Sequence, residues 1–219
     1  MILLIDTAQE TSTIALADKD QVLFVEENPV TNESASWLHP ALSRLLKQAD
    51  RNMRQIEAVA VVEGPGSYTG LRVGMAAAKG FCYALKIPLI TQNTLKLMAV
   101  SMQSRALELR AWICPMIDAR RQEVYTGLYQ SDGQELSAPR ALILDKNAFE
   151  MELSQSRIIF FGSGAEKWRK ITPASSALFE AQPNSIQYFA KLAANDFQHR
   201  KWADPILAEP VYLKEFFSY

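Results

Sequence analysis

The sequence predicts an α/β protein of two lobes, and three observations carry that expectation. A short apolar run ending in aspartate, followed by a β-hairpin pattern, opens both halves of the chain, at Asp6 and at Asp118. The first half then orders as three meander strands, a helix, a strand and a helix, which makes one α/β unit. A buried strand at residues 58–62 runs into a glycine-rich loop and a long apolar helix ending near Lys86.

Residues 2–5, 11–17 and 22–26 are β-rich runs, the last two separated by the polar turn Asp18-Lys19-Asp20. Over residues 37–49, Trp37, Leu38, Ala41, Leu42, Leu45, Leu46 and Ala49 repeat at helical spacing. Pro40 is expected in the first turn of that helix or at a kink near its start. In the second half, strands are predicted at 111–117, 123–129 and 157–161. A helix should begin at Ala165 after Gly162-Ser163-Gly164, and a last helix spans about residues 185–197. The boundary between lobes is placed at 104/105, with the C-terminal segment free to pack back on the first lobe.

Composition excludes several classes. The 219 residues carry 23 Lys plus Arg against 24 Asp plus Glu, and 48% are hydrophobic, as in a globular chain that buries its own core. Residues 1–103 and 104–219 have net charges of −1 and 0, so neither half is a basic nucleic-acid module by itself. The opening Met1-Ile2-Leu3-Leu4-Ile5 is too short for a signal peptide, and no run approaches the roughly 18 apolar residues of a membrane span. Cys82 and Cys114 lie in apolar runs without metal-site spacing, which fits reduced thiols in the cytoplasm.

The loop Gly64-Pro65-Gly66-Ser67-Tyr68-Thr69-Gly70 stands where strand-to-helix loops bind phosphate. It lacks the Gly-Lys-Ser/Thr ending of the phosphate loop, and its glycines are wrongly spaced for a dinucleotide fingerprint. Its glycines equally suit a tight turn and close helix–strand packing. The following helix carries only Arg72 and Lys79 as charges, so it needs cover on more than one side. Gly70, Gly74 and Ala78 form a small-residue row at i, i+4 and i+8, which suits close approach of another helix. One side of the helix should pack on its sheet. The other should meet the 37–49 helix or a partner, a partner being favoured in so small a lobe; a helix wedged between lobes is the alternative.

Catalytic groups are sparse. The histidines are His39 and His199, with no His-x-x-x-His, Cys-x-x-Cys or acidic cluster, so a protein metal site is not expected. Ser163 lacks the wider nucleophile elbow. Asp6 and Asp118 suit either a water-mediated magnesium site or turn capping through local hydrogen bonds.

Ile5-Asp6-Thr7-Ala8, the stretch from Gly64 through Gly74, Asp118-Ala119-Arg120 with Glu123-Val124-Tyr125, and Pro210-Val211-Tyr212-Leu213-Lys214 together resemble the TsaB (YeaZ) family. The likeness runs along nearly the whole chain and is weak between residues 130 and 200. It departs at Ser34, where the family often has histidine, and at Lys214, where it usually has arginine. The resemblance implies an actin-like (ASKHA) two-lobed fold of duplicated mixed-sheet lobes with the ribonuclease H-like motif. It implies a non-catalytic dimerisation and scaffold subunit of the bacterial complex that forms threonylcarbamoyladenosine in tRNA beside the anticodon. The expected partners are TsaD, TsaE and, through the complex, tRNA; for the chain alone, homodimer and monomer both stay open.

Pairing through the two first-lobe helices makes Trp37, Leu38, Ala41, Leu45, Gly70, Leu71, Gly74, Ala78 and Phe81 the expected interface. Candidates for shared nucleotide or tRNA contacts are Asp6, Arg72, Asp118 and Arg120; Arg121, Lys167, Arg169 and Lys170 suit phosphates or a solvated face. The metal-binding His-x-x-x-His of TsaD falls on Thr94 and Met98 here, and the glycine of the actin-like Asp-x-Gly loop falls on Arg120. ATP and metal are therefore expected on partner subunits, with none bound independently. The competing readings are an ATP-dependent kinase of the same fold and, further off, a metallo-endopeptidase.

Overall fold

A computed structural model describes residues 1–30, 33–172 and 174–214. By contacts the chain divides into one unit of Met1–Thr94 with Ser185–Val211, and a second of Leu95–Asn184 with the segment from Tyr212 onward.

The first unit begins with β1 (Ile2–Asp6), β2 (Ser12–Asp18) and β3 (Gln21–Asn28), the predicted meander. Then follow α1 (Ser34–Gln48), β4 (Ala58–Gly64), α2 (Tyr68–Leu85) and β5 (Leu89–Asn93). The sheet order is β3-β2-β1-β4-β5. β1 and β2 pair antiparallel, as do β2 and β3, while β4 lies parallel to both β1 and β5. α1 starts a turn earlier than predicted, so Pro40 lies inside it and not in its first turn. Leu3, Ile5, Ile14, Leu16, Val59 and Val61 form one core with Leu38, Leu42 and Leu45 of α1 and Met75, Ala78 and Cys82 of α2. Each buried leucine there contributes about 2 kcal/mol.

The second unit contains α3 (Thr94–Leu109), β6 (Ala111–Asp118), β7 (Glu123–Tyr129), β8 (Glu135–Ile143), α4 (Glu150–Gln155), β9 (Arg157–Phe161), α5 (Ala165–Arg169) and β10 (Ala177–Phe179). Read from its antiparallel edge, its sheet order is β8-β7-β6-β9-β10, with β6 parallel to β9 and β9 to β10. The two sheets thus repeat one pattern, an antiparallel meander continued by two parallel strands. This is the ribonuclease H-like motif duplicated in the actin-like way. Leu95, Met98, Met102 and Ala106 of α3 cover one face, while Phe149, Phe160 and Trp168 pack edge-to-face within the core on the other. The contact division at Thr94/Leu95 precedes the sequence-drawn boundary at 104/105, because α3 packs with the second sheet.

Finally α6 (Ile186–Gln198) returns to the first unit and contacts β1, β2, β3 and β5. Strand alternation places Ile2, Leu4, Ala15, Ala17, Ala58 and Ala60 on the face away from α1 and α2. α6 brings Phe189, Ala190, Ala193 and Ala194 to its buried side, so alanines on both elements allow a close helix–sheet approach. Gln92 of β5 donates to the Asp196 carboxylate at 2.5 Å, which fixes the register of the helix on the sheet.

Candidate functional site

In each unit the central strand ends in aspartate, and a glycine loop after the neighbouring parallel strand packs beside it. In the first unit Asp6 is 6% exposed, and its Oδ1 accepts the Ala8 N–H at 3.0 Å. Burial pushes its carboxyl up to about 6, against hydrogen bonds from Ala8 and Gln9 that favour the charged form. The Thr7 hydroxyl donates to the Gly70 carbonyl at 2.7 Å, and the Ser67 N–H donates to the Ala8 carbonyl at 2.7 Å. Ser67 also caps α2, its Oγ accepting the Gly70 N–H at 3.2 Å. A methyl group would overlap the Ala8 carbonyl oxygen at Gly66, the Thr7 carbonyl oxygen at Gly70, and the Thr7 hydroxyl at Gly74. These glycines therefore admit residues 7–8 of their own unit. Between the two uses of the loop weighed above, close packing is the one that the geometry displays.

In the second unit Asp118 is exposed. Its Oδ1 accepts the Arg120 N–H at 2.6 Å and pairs with Lys167 Nζ at 2.7 Å. Lys167 also donates to the Glu123 carbonyl at 3.2 Å. The Ser163 Oγ accepts the Asp118 N–H at 3.1 Å, a structural use of that hydroxyl. Arg120 and Arg121 have φ of 67° and 51°, so this turn takes the left-handed backbone usually left to glycine and adds two side chains to it. Arg169 pairs with Glu166 and lies over the Phe179 ring, and Arg72 lies 4.1 Å over the Tyr68 ring.

The residues expected at a partner interface separate into two groups. Leu38, Ala41, Leu45, Gly70, Leu71, Gly74 and Ala78 are buried within the first unit. Gly70 and Gly74 pack against Thr7, and Ala78 lies in the core shared by α1, α2 and the sheet, so this row packs inside its own unit. Trp37 and Phe81 are half-buried, with Phe81 edge-on to His39 at 5.7 Å. The outward row of α2 is instead Arg72, Ala76, Gly80, Tyr83 and Ala84, all exposed. A second row of small residues, 76-80-84, had the same i, i+4 signal; sequence spacing could not say which row faced out. Part of the cover on α2 comes from its own chain: Lys79 Nζ donates to the carbonyls of Ile206 (3.3 Å) and Ala208 (2.9 Å).

Comparison with known proteins follows the same lines. A family model described as TsaD, tRNA N6-adenosine threonylcarbamoyltransferase, matches residues 29–197. The tRNA threonylcarbamoyladenosine biosynthesis protein TsaB of Bacillus subtilis is 36% identical over 129 residues, 59% of this chain and 55% of that protein. TsaB of Escherichia coli is 28% identical over 224 residues, 97% of this chain and 94% of its own length. A crystal structure from Pseudomonas aeruginosa, described as an uncharacterized protein with similarity to peptidase YEAZ, superposes with TM-score 0.81 at 25% identity. That match covers 97% of this chain and 99% of the other. The chain belongs to this family, as a TsaB (YeaZ) member.

In this TsaB-family chain the stretches that carried the resemblance meet within each unit. The Val211 N–H donates to the Glu63 carbonyl at 2.7 Å, and a methyl group at Gly64 would lie 2.6 Å from the Val211 carbonyl oxygen. Lys214 forms an ion pair with Glu123. Thr94 and Met98 stand one turn apart at the start of α3, both fully buried. A hydroxyl and a thioether are a poor donor pair for a hard metal, and among the described residues no group of three His, Cys, Asp or Glu gathers. Burial pushes the Cys82 thiol up to about 11 and the Cys114 thiol up to about 12, so both stay protonated near neutral pH. His199 Nδ1 lies 2.8 Å from the Asn195 carbonyl, at the end of α6. No described helix is long and apolar enough to cross a membrane.

Proposed function

We propose that this chain is a non-catalytic scaffold subunit in the cytoplasm. It would pair through the outward face of α1 and α2 with a TsaD-type transferase, in the TsaE-containing assembly that forms threonylcarbamoyladenosine in tRNA. The observation that carries this reading is Gly80. Glycine inside a helix costs about 1 kcal/mol relative to alanine. A methyl group there would meet nothing within 4 Å, unlike at Gly66, Gly70 and Gly74. Among the described residues nothing requires that glycine; a helix packed closely over Ala76, Gly80 and Ala84 would. Tyr83, 88% exposed on the same helix, supplies an apolar body beside that contact.

A role without chemistry of its own is supported by the packing of residues 7–8 into the glycine loop and by Arg120 where the second phosphate loop would have glycine. ATP and metal then belong to the partner subunits. The test is co-expression of the tagged chain with the TsaD-type protein of the same organism. Co-purification is expected, and Gly80→Trp should abolish it while the chain keeps its melting temperature. Retention of the partner by that variant would refute the assigned face, and failure of the native chain to retain the partner would refute the scaffold reading. Sedimentation should show any homodimer of the isolated chain giving way on addition of the transferase, because both would use the same face. Calorimetry should detect no micromolar binding of ATP to the chain alone.

A further inference from the structure

Resting on that reading, we infer that the turn carrying Arg120 and Arg121 is a contact site for phosphodiester groups of an RNA bound by the assembly. The turn joins β6 to β7 and is closed by Ala119 N–H to the Glu123 carbonyl at 3.0 Å and by Glu123 N–H to the Arg120 carbonyl at 3.2 Å. The carboxylates around it are already matched: Asp118 pairs with Lys167 and Glu123 with Lys214. Both arginine side chains are exposed, and neither guanidinium has an ion pair among the described residues. A chain of net charge −1 thus concentrates two uncompensated guanidiniums on one turn.

The backbone makes the placement deliberate. Single left-handed residues such as Lys86 and Arg110 follow the ends of helices here, whereas Arg120 and Arg121 are the one consecutive non-glycine pair among the described residues. Glycine would hold these angles without steric cost. The side chains present are the ones that match phosphate oxygens bidentately. Asp118, Arg120, Arg121 and Gln122 are all exposed, so the turn presents both guanidiniums to solvent. An extended polyanion, which gains affinity from many such contacts, is the ligand it fits.

The experiment titrates a tRNA transcript against the full chain, alone and assembled with the TsaD-type protein, over a range of salt concentrations. Wild type is compared with Arg120→Gln/Arg121→Gln and with Arg120→Gly. At 0.1 M salt each lost arginine should weaken binding by about five- to tenfold, and the double variant should lower the salt slope by about 1.5–2. Arg120→Gly should also bind more weakly while melting no lower than wild type, which separates loss of contact from loss of fold. Equal affinities and slopes for wild type and the double variant overturn the proposal, as does a wild-type chain that adds no tRNA affinity in either setting. ATP replaces tRNA in a parallel arm; a loss confined to ATP would overturn the RNA assignment. Failure to assemble bears on the scaffold reading alone, because the titration of the isolated chain still compares the arginines.

Discussion

Asp6 and Asp118 end the central strands of two sheets with the same strand order, yet they sit in opposite electrostatic conditions. Asp6 is buried with no cation paired to it among the described residues, held by N–H groups, with its carboxyl raised to about 6. Asp118 is exposed, beside Lys167 and a turn of two arginines. A duplicated backbone therefore fixes where a carboxylate stands and leaves its charge to the neighbours. The glycine loops differ in the same manner. Gly66 and Gly70 press on residues 7–8, whereas Gly162 and Gly164 press on the end of β6 at Met116 and Ile117.

The comparison is broken most severely at the glycines. Gly70→Ala places a methyl group against the Thr7 carbonyl and should destabilise the chain by about 3 kcal/mol, seen as a fall in denaturant midpoint. Gly80→Ala, with open space around it, should stabilise by about 1 kcal/mol. Asp6 gives the next effect, and its sign is set by the raised value. The folded state holds the proton more tightly than the unfolded chain does, so stability is greatest below about pH 4. It is lost progressively as pH rises through about 6. The loss is on the order of 2–3 kcal/mol by pH 7.5, and Asp6→Asn should flatten that part of the curve of unfolding free energy against pH. Asp118 shows the contrast. Lys167→Met removes a half-exposed pair and should cost under about 1 kcal/mol, with the difference shrinking as salt is added.

Much of the fold was legible from local pattern. The meander, the strand at 58–62, the glycine loop, the strands opening the second half and the last helix each carry their own periodicity or turn residues. α3, α4, β5, β8 and β10 are not legible in the local pattern, for physical reasons. Leu95, Leu97, Met98 and Ala99 are all buried, so the start of α3 shows no polar face to reveal a period. β8 is an edge strand of exposed and half-buried residues containing Pro139, and β10 has three residues. At the site, the sequence pointed to α2 and to the strand-end aspartates. The inward assignment of Gly70 and Gly74, the outward one of Gly80, and the roles of Lys79 and Lys167 depend on partners far away in the chain.

By itself the sequence determined what is local. It placed aspartates at strand ends, an apolar helix after a glycine loop, and a family likeness carried by short ordered motifs. The tertiary structure alone decided which small-residue row of α2 packs on Thr7, which carboxylate is buried and which is paired, and that residues 206–211 fasten to α2 and β4. Those outcomes rest on contacts such as Val211 with Glu63 and Asp196 with Gln92. Burial and charge pairing are set by what the folded chain brings close, and spacing along the chain does not encode it.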